Sequence, residues 1–448
     1  MRLSATDEDL TDRAGVLDDT TEAIDGRHVQ APTETPTWLV VSYFANIQGA
    51  CQSEWVEDRI SALGAYDLRI KLISSVCGPR HREFFHRRAV SLSPSDLTYE
   101  LGFVLKRHET GWLSWAIKRL LLPFLYPLSF VENKLLKMYG EGRWSWMPLS
   151  ILSALLLCWR DRPAVIYSTG GPASAHMVAA AVSAVTGSPW IAEFQDPLVG
   201  KDIGRNWLSR KGLKYIEKRV FNRARKVVFC TKTARDSAVE RYGSGKAECI
   251  YPGSSVKTIG IRDNNRTRCR FIYLGSLYQS RNLDRFIEAL LLVLKARPEF
   301  VDRISLDLYG NIDRDIADRI RRHQLPFLHM NGVVTREEAV ACASESDVLL
   351  LIQNTDDRSS LTIPFKTYDY LRLGRTILGL TYRNLELQEL LLRHNHIAVS
   401  ADDSLMIKCA IDQILDLWSL GKLGEGIVGS ELTSDRAAAH MLDIAKAL

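Results

Sequence analysis

Two residues in the segment 362–380, Lys366 and Asp369, have types and spacing that could bind a phosphorylated ligand. Pro364 suits the first turn of a helix, because its missing N–H leaves nothing unpaired there, and Gly374 suits the left-handed residue that ends one. Lys366 and Asp369 would share one helix face. A cation near free N–H groups favours a phosphate, and the carboxylate can accept hydrogen bonds from ribose hydroxyls. The alternative is a surface helix with an ordinary ion pair.

A second candidate phosphate site is the loop 275–282, which follows a predicted strand and leads into a predicted helix. Gly275 allows close approach of the backbone, Ser276 offers a hydroxyl, and Arg281 offers a planar guanidinium that can grip a diphosphate. The alternative is a plain strand-to-helix turn with a solvated arginine. The sequence contains no P-loop motif, so a Walker-type ATP site has no support.

A third candidate is the small-residue segment 168–176, which also joins a predicted strand to a helix. Gly170 and Gly171 can bring backbone N–H groups close to a ligand, and Gly49 lies in a similar turn after the first predicted strand. His176 is a candidate catalytic side chain at the end of this segment. The alternative for His176 is a histidine of the core or of the helix surface.

Gln195 and Asp196 end a predicted strand at the same sheet edge, just before Pro197. The carboxyl ends of parallel strands meet at one edge, so we expect both side chains to face a ligand bound there. They are the other candidate catalytic residues. A turn-capping role for Asp196 before the proline is the alternative.

Apolar strands alternate with amphipathic helices along two successive parts of the chain, which predicts an α/β protein with parallel sheets. The predicted strands are Trp38–Phe44, Leu68–Val76, Ala164–Tyr167, Trp190–Phe194 and Lys226–Cys230, then Arg270–Leu274, Ile304–Tyr309, Phe327–Met330, Asp347–Gln353 and Thr376–Leu380. We predict two tandem Rossmann-like, doubly wound domains that face each other across a cleft at the carboxyl ends of their strands.

The chain of 448 residues is too long for one hydrophobic core. Residues 1–36 hold nine acidic residues against three arginines and show no apolar periodicity, which predicts a disordered tail. The polar stretch Tyr251–Arg268 is the predicted boundary between a first domain, 37–252, and a second, 253–420.

The net charge of +5 hides an acidic start, and the rest of the chain carries about +11. A basic body is compatible with phosphorylated ligands, nucleic acid or an anionic membrane, so charge alone does not select the partner. Eight widely spaced cysteines indicate a reducing compartment, with neither a disulfide framework nor a zinc site. We find no secretory signal and no run long enough to span a bilayer, and expect a cytoplasmic location.

Metal binding has little support in the sequence. Asp313 and Asp315 form an Asp-x-Asp pair, but they open a predicted helix, where acids complement the dipole. The ten histidines are scattered without ligand spacing. We expect no metal and no other cofactor.

The segment 103–143 combines aromatic residues with basic ones and carries a net charge of about +4. Its aromatic and basic residues include Trp112, Trp115, Phe124, Tyr126, Phe130, Lys106, Arg107, Lys118, Arg119, Lys134, Lys137 and Arg143. Basic side chains beside an aromatic, leucine-rich helix are typical of a segment that lies in a membrane interface. The alternative is a helical hairpin that packs on the first domain.

The segments Ser168–Ala180, Ile191–Pro197, Tyr273–Leu290 and Ile363–Leu380 together resemble the GT-B glycosyltransferases of the family-4-like group. The resemblance covers about residues 38–420. It implies an acceptor domain followed by a nucleotide-sugar domain, transfer with retention of configuration, no metal, and a closing C-terminal helix within 421–448 that crosses back to the first domain.

By position, the resemblance implies that Arg281 and Lys366 hold the donor diphosphate, with Ser276 where many relatives have an arginine. Asp369 stands where the family has the glutamate that binds the ribose. Leu361 replaces that glutamate's partner acid, eight residues earlier. Gln195 stands where many relatives carry a catalytic histidine, and Asp196 follows it.

The sequence therefore predicts a retaining glycosyltransferase that uses a nucleotide-sugar donor. We expect a glycan or lipid-linked acceptor in surface polysaccharide or glycoconjugate synthesis, peripheral association with the inner face of the cell membrane, and no nucleic acid. One alternative is a nucleotide-sugar 2-epimerase, which would share the donor site. Another is an inactive protein that binds nucleotide sugars, since position 361 lacks the acid and position 369 has the shorter one.

Overall fold

The structure is a computed structural model that describes residues 35–47, 49–107, 111–136, 142–200, 207–257, 267–424 and 426–448. Residues 1–34 of the predicted acidic tail lie outside the described residues. So does half of the predicted boundary, 258–266.

The first parallel sheet has seven strands in the order β3-β2-β1-β4-β5-β6-β7. The strands are β1 (Thr37–Val41), β2 (Arg69–Ser75), β3 (Phe85–Ala89), β4 (Val165–Thr169), β5 (Trp190–Phe194), β6 (Lys226–Phe229) and β7 (Ala247–Cys249). Its helices are α1 (Cys51–Gly64), α2 (Pro94–Arg107), α3 (Trp112–Ala116), α4 (Leu122–Leu136), α5 (Met147–Arg160), α6 (Ser174–Thr186), α7 (Trp207–Arg223) and α8 (Lys232–Tyr242). We call this part of the chain the first lobe.

The second parallel sheet has six strands in the order β10-β9-β8-β11-β12-β13. The strands are β8 (Cys269–Leu274), β9 (Ile304–Tyr309), β10 (Leu328–Gly332), β11 (Val348–Ile352), β12 (Thr376–Thr381) and β13 (Ile397–Ser400). Its helices are α9 (Asp284–Ala296), α10 (Arg314–Arg322), α11 (Arg336–Ser344), α12 (Lys366–Leu373), α13 (Leu385–Arg393) and α14 (Ser404–Ser419), and we call it the second lobe. A final helix, α15, spans Ser434–Lys446.

The first sheet is buried on both faces because alternate residues of each strand point to opposite sides. On β1, Leu39 and Val41 join a core with α5, α6 and α7, whereas Trp38 and Val40 join a core with α1 and α15. This burial on both faces is the reason for the apolar runs from which the strands were predicted. Fully burying each such side chain contributes about 1.5–3 kcal/mol.

In both sheets the order in which strands are added reverses next to the first strand of the sheet in the sequence. The reversal lies between β1 and β4 in the first sheet and between β8 and β11 in the second. In doubly wound sheets the loops at this point separate, and ligands bind in the crevice outside the carboxyl ends of the strands. The loops after β1 and β4, and those after β8 and β11, are therefore the ones positioned to form a site. The predicted fold class, two tandem Rossmann-like domains, is confirmed.

The chain returns to the first lobe after α14. Between 426 and 432 it hydrogen-bonds along the second lobe, from Gly426 N to Gly374 O at 2.9 Å and from Gly429 N to Leu371 O at 3.1 Å. α15 then packs in the core that contains α1 and β1. The spacing of Gly424, Gly426 and Gly429 matches a dinucleotide fingerprint, yet this segment follows a helix instead of a strand, so it lacks the required context.

Several elements differ from the sequence predictions. The first strand ends at Val41 instead of Phe44, and α9 begins at Asp284 instead of Arg281. The strands β3, β7 and β13 were not expected from the sequence. β3 is a polar edge strand with three exposed residues in five, so it lacks the apolar run that marks a buried parallel strand.

The segment 103–143 forms the end of α2, then α3, a π-helical turn over Ile117–Leu121, and α4. Residues 108–110 and 137–141, including Lys137, lie outside the described residues. Within the described part of the chain, no helix combines the length and the apolarity that crossing a bilayer requires.

Candidate functional site

A cavity of about 900 Å³ lies between the two lobes, at the carboxyl ends of both sheets. Its volume is within the range of pockets that hold ligands of cofactor size. From the first lobe it is lined by Gly49, Cys51, Gln52, Glu54, Trp55, Gln195 and Asp196. From the second lobe its lining includes Gly275, Ser276, Arg281, Asn311, Arg336, Asp356, Lys366 and Asp369.

Lys366 begins α12, and its ammonium group lies in the second-lobe wall of this cavity. Nζ donates to the carbonyl of Leu274 at 2.7 Å and stands 3.7 Å from the centre of the Tyr273 ring. Gly275 has φ +122, and a Cβ added there would lie 3.3 Å from Nζ, so a side chain at this position would crowd the lysine. The carbonyl and the ring face together hold the ammonium group at the cavity wall.

Arg281 is held in the loop before α9 by two backbone hydrogen bonds with Tyr278, each of 3.0 Å. This tight turn is the reason that α9 starts three residues later than predicted. The guanidinium carbon lies 5.3 Å from the centre of the Tyr278 ring, and Nε is buried with no hydrogen-bond partner among the described residues. Ser276, also in this loop, lines the cavity, and its carbonyl accepts from the Tyr273 hydroxyl at 3.0 Å.

The charged form of Lys366 is unfavourable in this position. Burial lowers the pKa of the Lys366 ammonium well below its usual range, and the charge of Arg281 lowers it further. Among the described residues no carboxylate lies within ion-pair distance of either side chain. An anion that enters between them would relieve this penalty, which is the electrostatic condition for binding a diphosphate.

Gln195 and Asp196 follow β5 and line the first-lobe side of the cavity. The Gln195 amide donates to Gln52 O and to Thr169 Oγ1, both at 3.3 Å, while its Oε1 is buried without a partner among the described residues. Thr169 in turn donates to Glu193 at 2.7 Å. The amide is therefore positioned by Gln52 and Thr169, and its buried Oε1 keeps an acceptor without a partner among the described residues.

Glu193 anchors this part of the sheet. Its carboxylate is fully buried and accepts from Arg59 at 2.8 Å and from the hydroxyl of Tyr167. A buried ion pair of this kind tolerates loss of one partner poorly, because a charge would remain uncompensated. Arg59 thus ties α1 to β5, two residues before Gln195.

His176 does not line the cavity, and its position does not support the catalytic interpretation. The ring is fully buried beside Phe194, at 4.6 Å between ring centres, and its Nδ1 shares a hydrogen bond of 2.9 Å with Ser168 Oγ. Burial lowers the pKa of His176 to about 3, so the ring stays neutral. This is the core histidine that the sequence left as the alternative.

The three glycines that the sequence predicts near a ligand on the first lobe, the acceptor side, differ in position. Gly49 lines the cavity, whereas Gly170 and Gly171 are not among its lining residues. A Cβ at Gly171 would lie 2.2 Å from Nε2 of Gln52. Gly171 therefore contributes by leaving room for Gln52, which does line the cavity.

Asp369 lines the cavity. It does not form the ion pair with Lys366 that the alternative, an ordinary surface helix, required. Its Oδ1 accepts from Arg336 at 2.7 Å and from Ser254 Oγ at 2.5 Å, while Oδ2 accepts only a long hydrogen bond of 3.3 Å from Arg336. Burial raises the pKa of the Asp369 carboxyl, although Arg336 and Ser254 favour its charged form. Oδ2 retains capacity for another donor.

Arg336 is the main site residue that the sequence did not reveal. It bonds both carboxylate oxygens of Asp58 on α1, at 2.9 and 3.0 Å, as well as Asp369 on α12. Its guanidinium carbon lies 5.4 Å from the ring centre of Phe365, which stacks at 5.5 Å on Trp55 of the first lobe. Arg336 therefore joins the lobes beside the cavity.

A second missed residue is Asp356, which follows β11 and lines the cavity. It accepts from Ser280 at 3.3 Å and from Asn354 at 3.2 Å. Its place just after a buried strand is a signal that the sequence offered. Leu361, by contrast, gives its carbonyl to Thr231 of the first lobe at 2.8 Å.

Among the described residues no group of three or more histidine, cysteine or acidic side chains is arranged to hold a metal. The Asp313–Asp315 pair stands at the start of α10, where Asp315 lies in the first turn.

Neither a family model nor a curated protein matches the sequence. Solved structures do match. Anabaena Alr3699/HepE in complex with UDP has a TM-score of 0.61 and 11% identity, over 92% of this chain and 99% of that one. Sucrose-phosphate synthase (tll1590) from Thermosynechococcus elongatus has a TM-score of 0.61 and 13% identity, over 92% and 98%. The α,α-trehalose 6-phosphate synthase from Burkholderia multivorans has a TM-score of 0.58 and 12% identity, over 92% and 97%.

These neighbours define the architecture. At identities this low a structural likeness establishes the fold and not the activity. The chain has the GT-B fold of two Rossmann-like domains.

Arg336→Ala should lower the free energy of unfolding by about 3 kcal/mol, because the Asp58 and Asp369 carboxylates would stay buried without their counter-charge. Arg319→Ala is the matched control, since Arg319 forms a half-exposed pair with Asp284 at 3.2 Å. It should cost less than about 1 kcal/mol. Urea unfolding followed by circular dichroism measures both, and equal losses would contradict the role of Arg336.

Proposed function

We propose that the protein is a glycosyltransferase that moves a sugar from a nucleotide-sugar donor to a glycan or lipid-linked acceptor. The observation that carries the proposal is one cavity in which Lys366 and Arg281 of the second lobe meet Gln195 and Asp196 of the first. The neighbours support it: HepE has structures with UDP and with UDP-glucose, and the other two are named as synthases of sugar phosphates.

On the donor side, Lys366 and Arg281 bind the diphosphate, and the Ser276 hydroxyl adds a hydrogen bond. The leaving diphosphate gains negative charge as the glycosidic bond breaks, so fixed cations stabilise the transition state more than the ground state. Because these cations are already in the wall, we propose that no metal is needed. The remaining acceptor capacity of Asp369 Oδ2 suits a ribose hydroxyl.

On the acceptor side, Gln195 and Asp196 orient the attacking hydroxyl and the sugar. We propose transfer on one face, with retention of configuration, as the family resemblance implies. The bond between the anomeric carbon and the diphosphate oxygen breaks, the acceptor oxygen forms the new bond on the same face, and its proton passes to the departing phosphate. Positioning both partners in one cavity supplies most of what such a transfer needs.

We further propose a role in surface polysaccharide or glycoconjugate synthesis, in the cytoplasm. A body of about +11 outside the acidic start suits phosphorylated donors and acceptors, and we propose no nucleic-acid partner.

Arg281→Ala and Lys366→Ala should each lower turnover at least tenfold while the protein stays folded, because each removes a charge that stabilises the leaving diphosphate. Arg319→Ala and Lys295→Ala are matched controls on the second lobe, outside the cavity lining. Release of the nucleotide diphosphate measures turnover, and circular dichroism checks the fold. Rates near that of the wild type in both site variants would reject the site.

The affinity for UDP should fall as the pH rises through the depressed pKa of free Lys366. Burial and the charge of Arg281 make the lysine lose its proton well below the usual lysine value, and a diphosphate binds the charged form. Above that pKa, Lys366 must therefore take up a proton from the buffer when UDP binds. Calorimetry in buffers of different ionisation enthalpy detects this uptake. Lys366→Arg stays charged and should remove the pH dependence.

A panel of nucleotide sugars should contain a donor that raises the thermal midpoint, since a ligand of the folded state stabilises it by mass action. Incubated without an acceptor, that donor should keep the stereochemistry of its sugar. Conversion to the 2-epimer, followed by NMR, would identify an epimerase. A donor that binds but is never transferred in a screen of glycan and lipid-linked acceptors would favour the inactive binding protein.

A further inference from the structure

The first lobe exposes an unusual amount of aromatic surface on α3, α4 and the turn between them. The exposed fractions are 80% for Trp112, 60% for Trp115, 72% for Phe124 and 67% for Phe130. We call these four residues the aromatic ridge. Monomeric proteins in water rarely expose apolar residues in such concentration without a partner.

The hairpin beneath the aromatic ridge does not need these side chains. α4 packs on α2 through a small core made of Leu101, Ile117, Leu122 and Leu125. These positions form a narrow buried stripe, and the residues of the ridge stand outside it. The ridge is therefore free to contact something other than this chain's own described residues.

A second feature lies on α7, which carries six basic residues. Its single acid, Glu217, is fully buried and pairs with Arg241 at 2.9 Å. Lys211, Lys214 and Lys218 are exposed and spaced three and four positions apart, so they form one stripe. We call these three lysines the basic face.

The aromatic ridge and the basic face belong to the same side of the first sheet. Tyr99 and Phe103 of α2, on which the ridge-bearing hairpin rests, pack against the same core as Val220 and Phe221 of α7. α1 and α15 pack against the core on the opposite side. One layer of the first lobe thus presents both apolar and cationic surface.

We propose that this layer docks on an anionic lipid bilayer. The aromatic ridge inserts among the headgroups, and the basic face binds lipid phosphates. Two observations favour a bilayer over a protein partner. The residues Leu120–Val131 form an apolar run without charge, flanked by exposed Lys118, Arg119 and Lys134, which is the composition of interfacial helices. Glu132, directly after the run, is half-buried and accepts from Ser95 N at 2.8 Å. The basic face adds a cationic surface without an exposed acid, which complements an anionic leaflet.

The structure also excludes two basic residues of the segment 103–143 from the docking surface. Arg107 donates to the carbonyls of Val76 and Cys77, and Arg143 pairs with Asp96 at 3.0 Å and stacks on Tyr99. These two arginines hold the hairpin in place and are not part of the docking surface. The proposal goes beyond glycosyl transfer and does not depend on the donor site.

The test is sedimentation of the full chain with vesicles of phosphatidylcholine containing phosphatidylglycerol, and with pure phosphatidylcholine. The wild type should sediment with the anionic vesicles at low salt. High salt screens the charges and should lower the fraction of bound protein at least tenfold. Lys211→Glu combined with Lys214→Glu should reduce binding at least tenfold. The matched control, Lys295→Glu with Arg322→Glu on the second lobe, should bind as the wild type does.

Phe124→Glu combined with Phe130→Glu should also abolish sedimentation, whereas Leu385→Glu with Leu405→Glu, at 73% and 66% exposure on the second lobe, should not. Trp112→Phe with Trp115→Phe should still sediment but lose the blue shift of tryptophan fluorescence that insertion causes. Thermal midpoints equal to that of the wild type show that the variants are folded.

Three outcomes would overturn the proposal. In the first, the wild type stays in the supernatant with anionic vesicles at low salt. In the second, the variants of the aromatic ridge and the basic face bind vesicles as well as their controls do. The third is a wild type that ignores vesicles but elutes as an oligomer, which Phe124→Glu with Phe130→Glu converts to a monomer. In that case a second copy of the chain covers the aromatic ridge.

Discussion

The candidate site depends on holding two like charges, Lys366 and Arg281, in the wall of one cavity. Burial and mutual repulsion both oppose the charged lysine, and the Leu274 carbonyl and the Tyr273 ring only partly offset them. Such an arrangement is unfavourable without a ligand and becomes favourable when an anion enters. The sequence around it is constrained accordingly, since a Cβ at Gly310 would lie 2.4 Å from the carbonyl of Gly275. The two loops therefore approach backbone to backbone.

The cations are useful only if the first lobe stands opposite them, and two charged clusters hold it there. In one, Arg336 joins Asp58 to Asp369. In the other, Glu386 of α13 accepts from the backbone of Lys232 and Thr233 at the start of α8, at 2.7 and 2.8 Å. Each cluster uses charge-assisted hydrogen bonds, which have strict geometry. Together with the stacking of Trp55 on Phe365, these polar contacts set the distance between the donor and acceptor sides.

The sequence predicted those features whose causes are local. The helix that begins near Pro364 and ends at the left-handed Gly374 follows from residues within a few positions of one another. The parallel, doubly wound class of both sheets follows nearly as directly, because alternating strands and helices leave few topologies open. What could not be predicted depends on distance. Arg336 acquires its role from Asp58, which lies 278 positions away, and neither residue stands in a motif.

His176 and the basic residues of the hairpin show the same limit for side-chain environment. A histidine after a glycine loop has the same sequence pattern whether it faces a cavity or the core, and only the fold places it beside Phe194. Likewise Arg143 and Lys118 contribute equally to a charge count, but one is paired with Asp96 and the other is exposed. Charge and composition therefore indicate the kind of surface a segment can form, while the packing decides which of its residues form it.

The cleft and the proposed docking layer use different parts of one Rossmann-like lobe. The cleft lies at the carboxyl edge of the first sheet, and the layer covers one face of it, so both can be occupied at once. Asp196 and Trp207, where α7 begins, are eleven positions apart in the sequence. They lie within about 40 Å of each other even if the chain between them is fully extended. An acceptor anchored in a bilayer at the level of Trp207 would have to bridge at most that distance to reach Asp196.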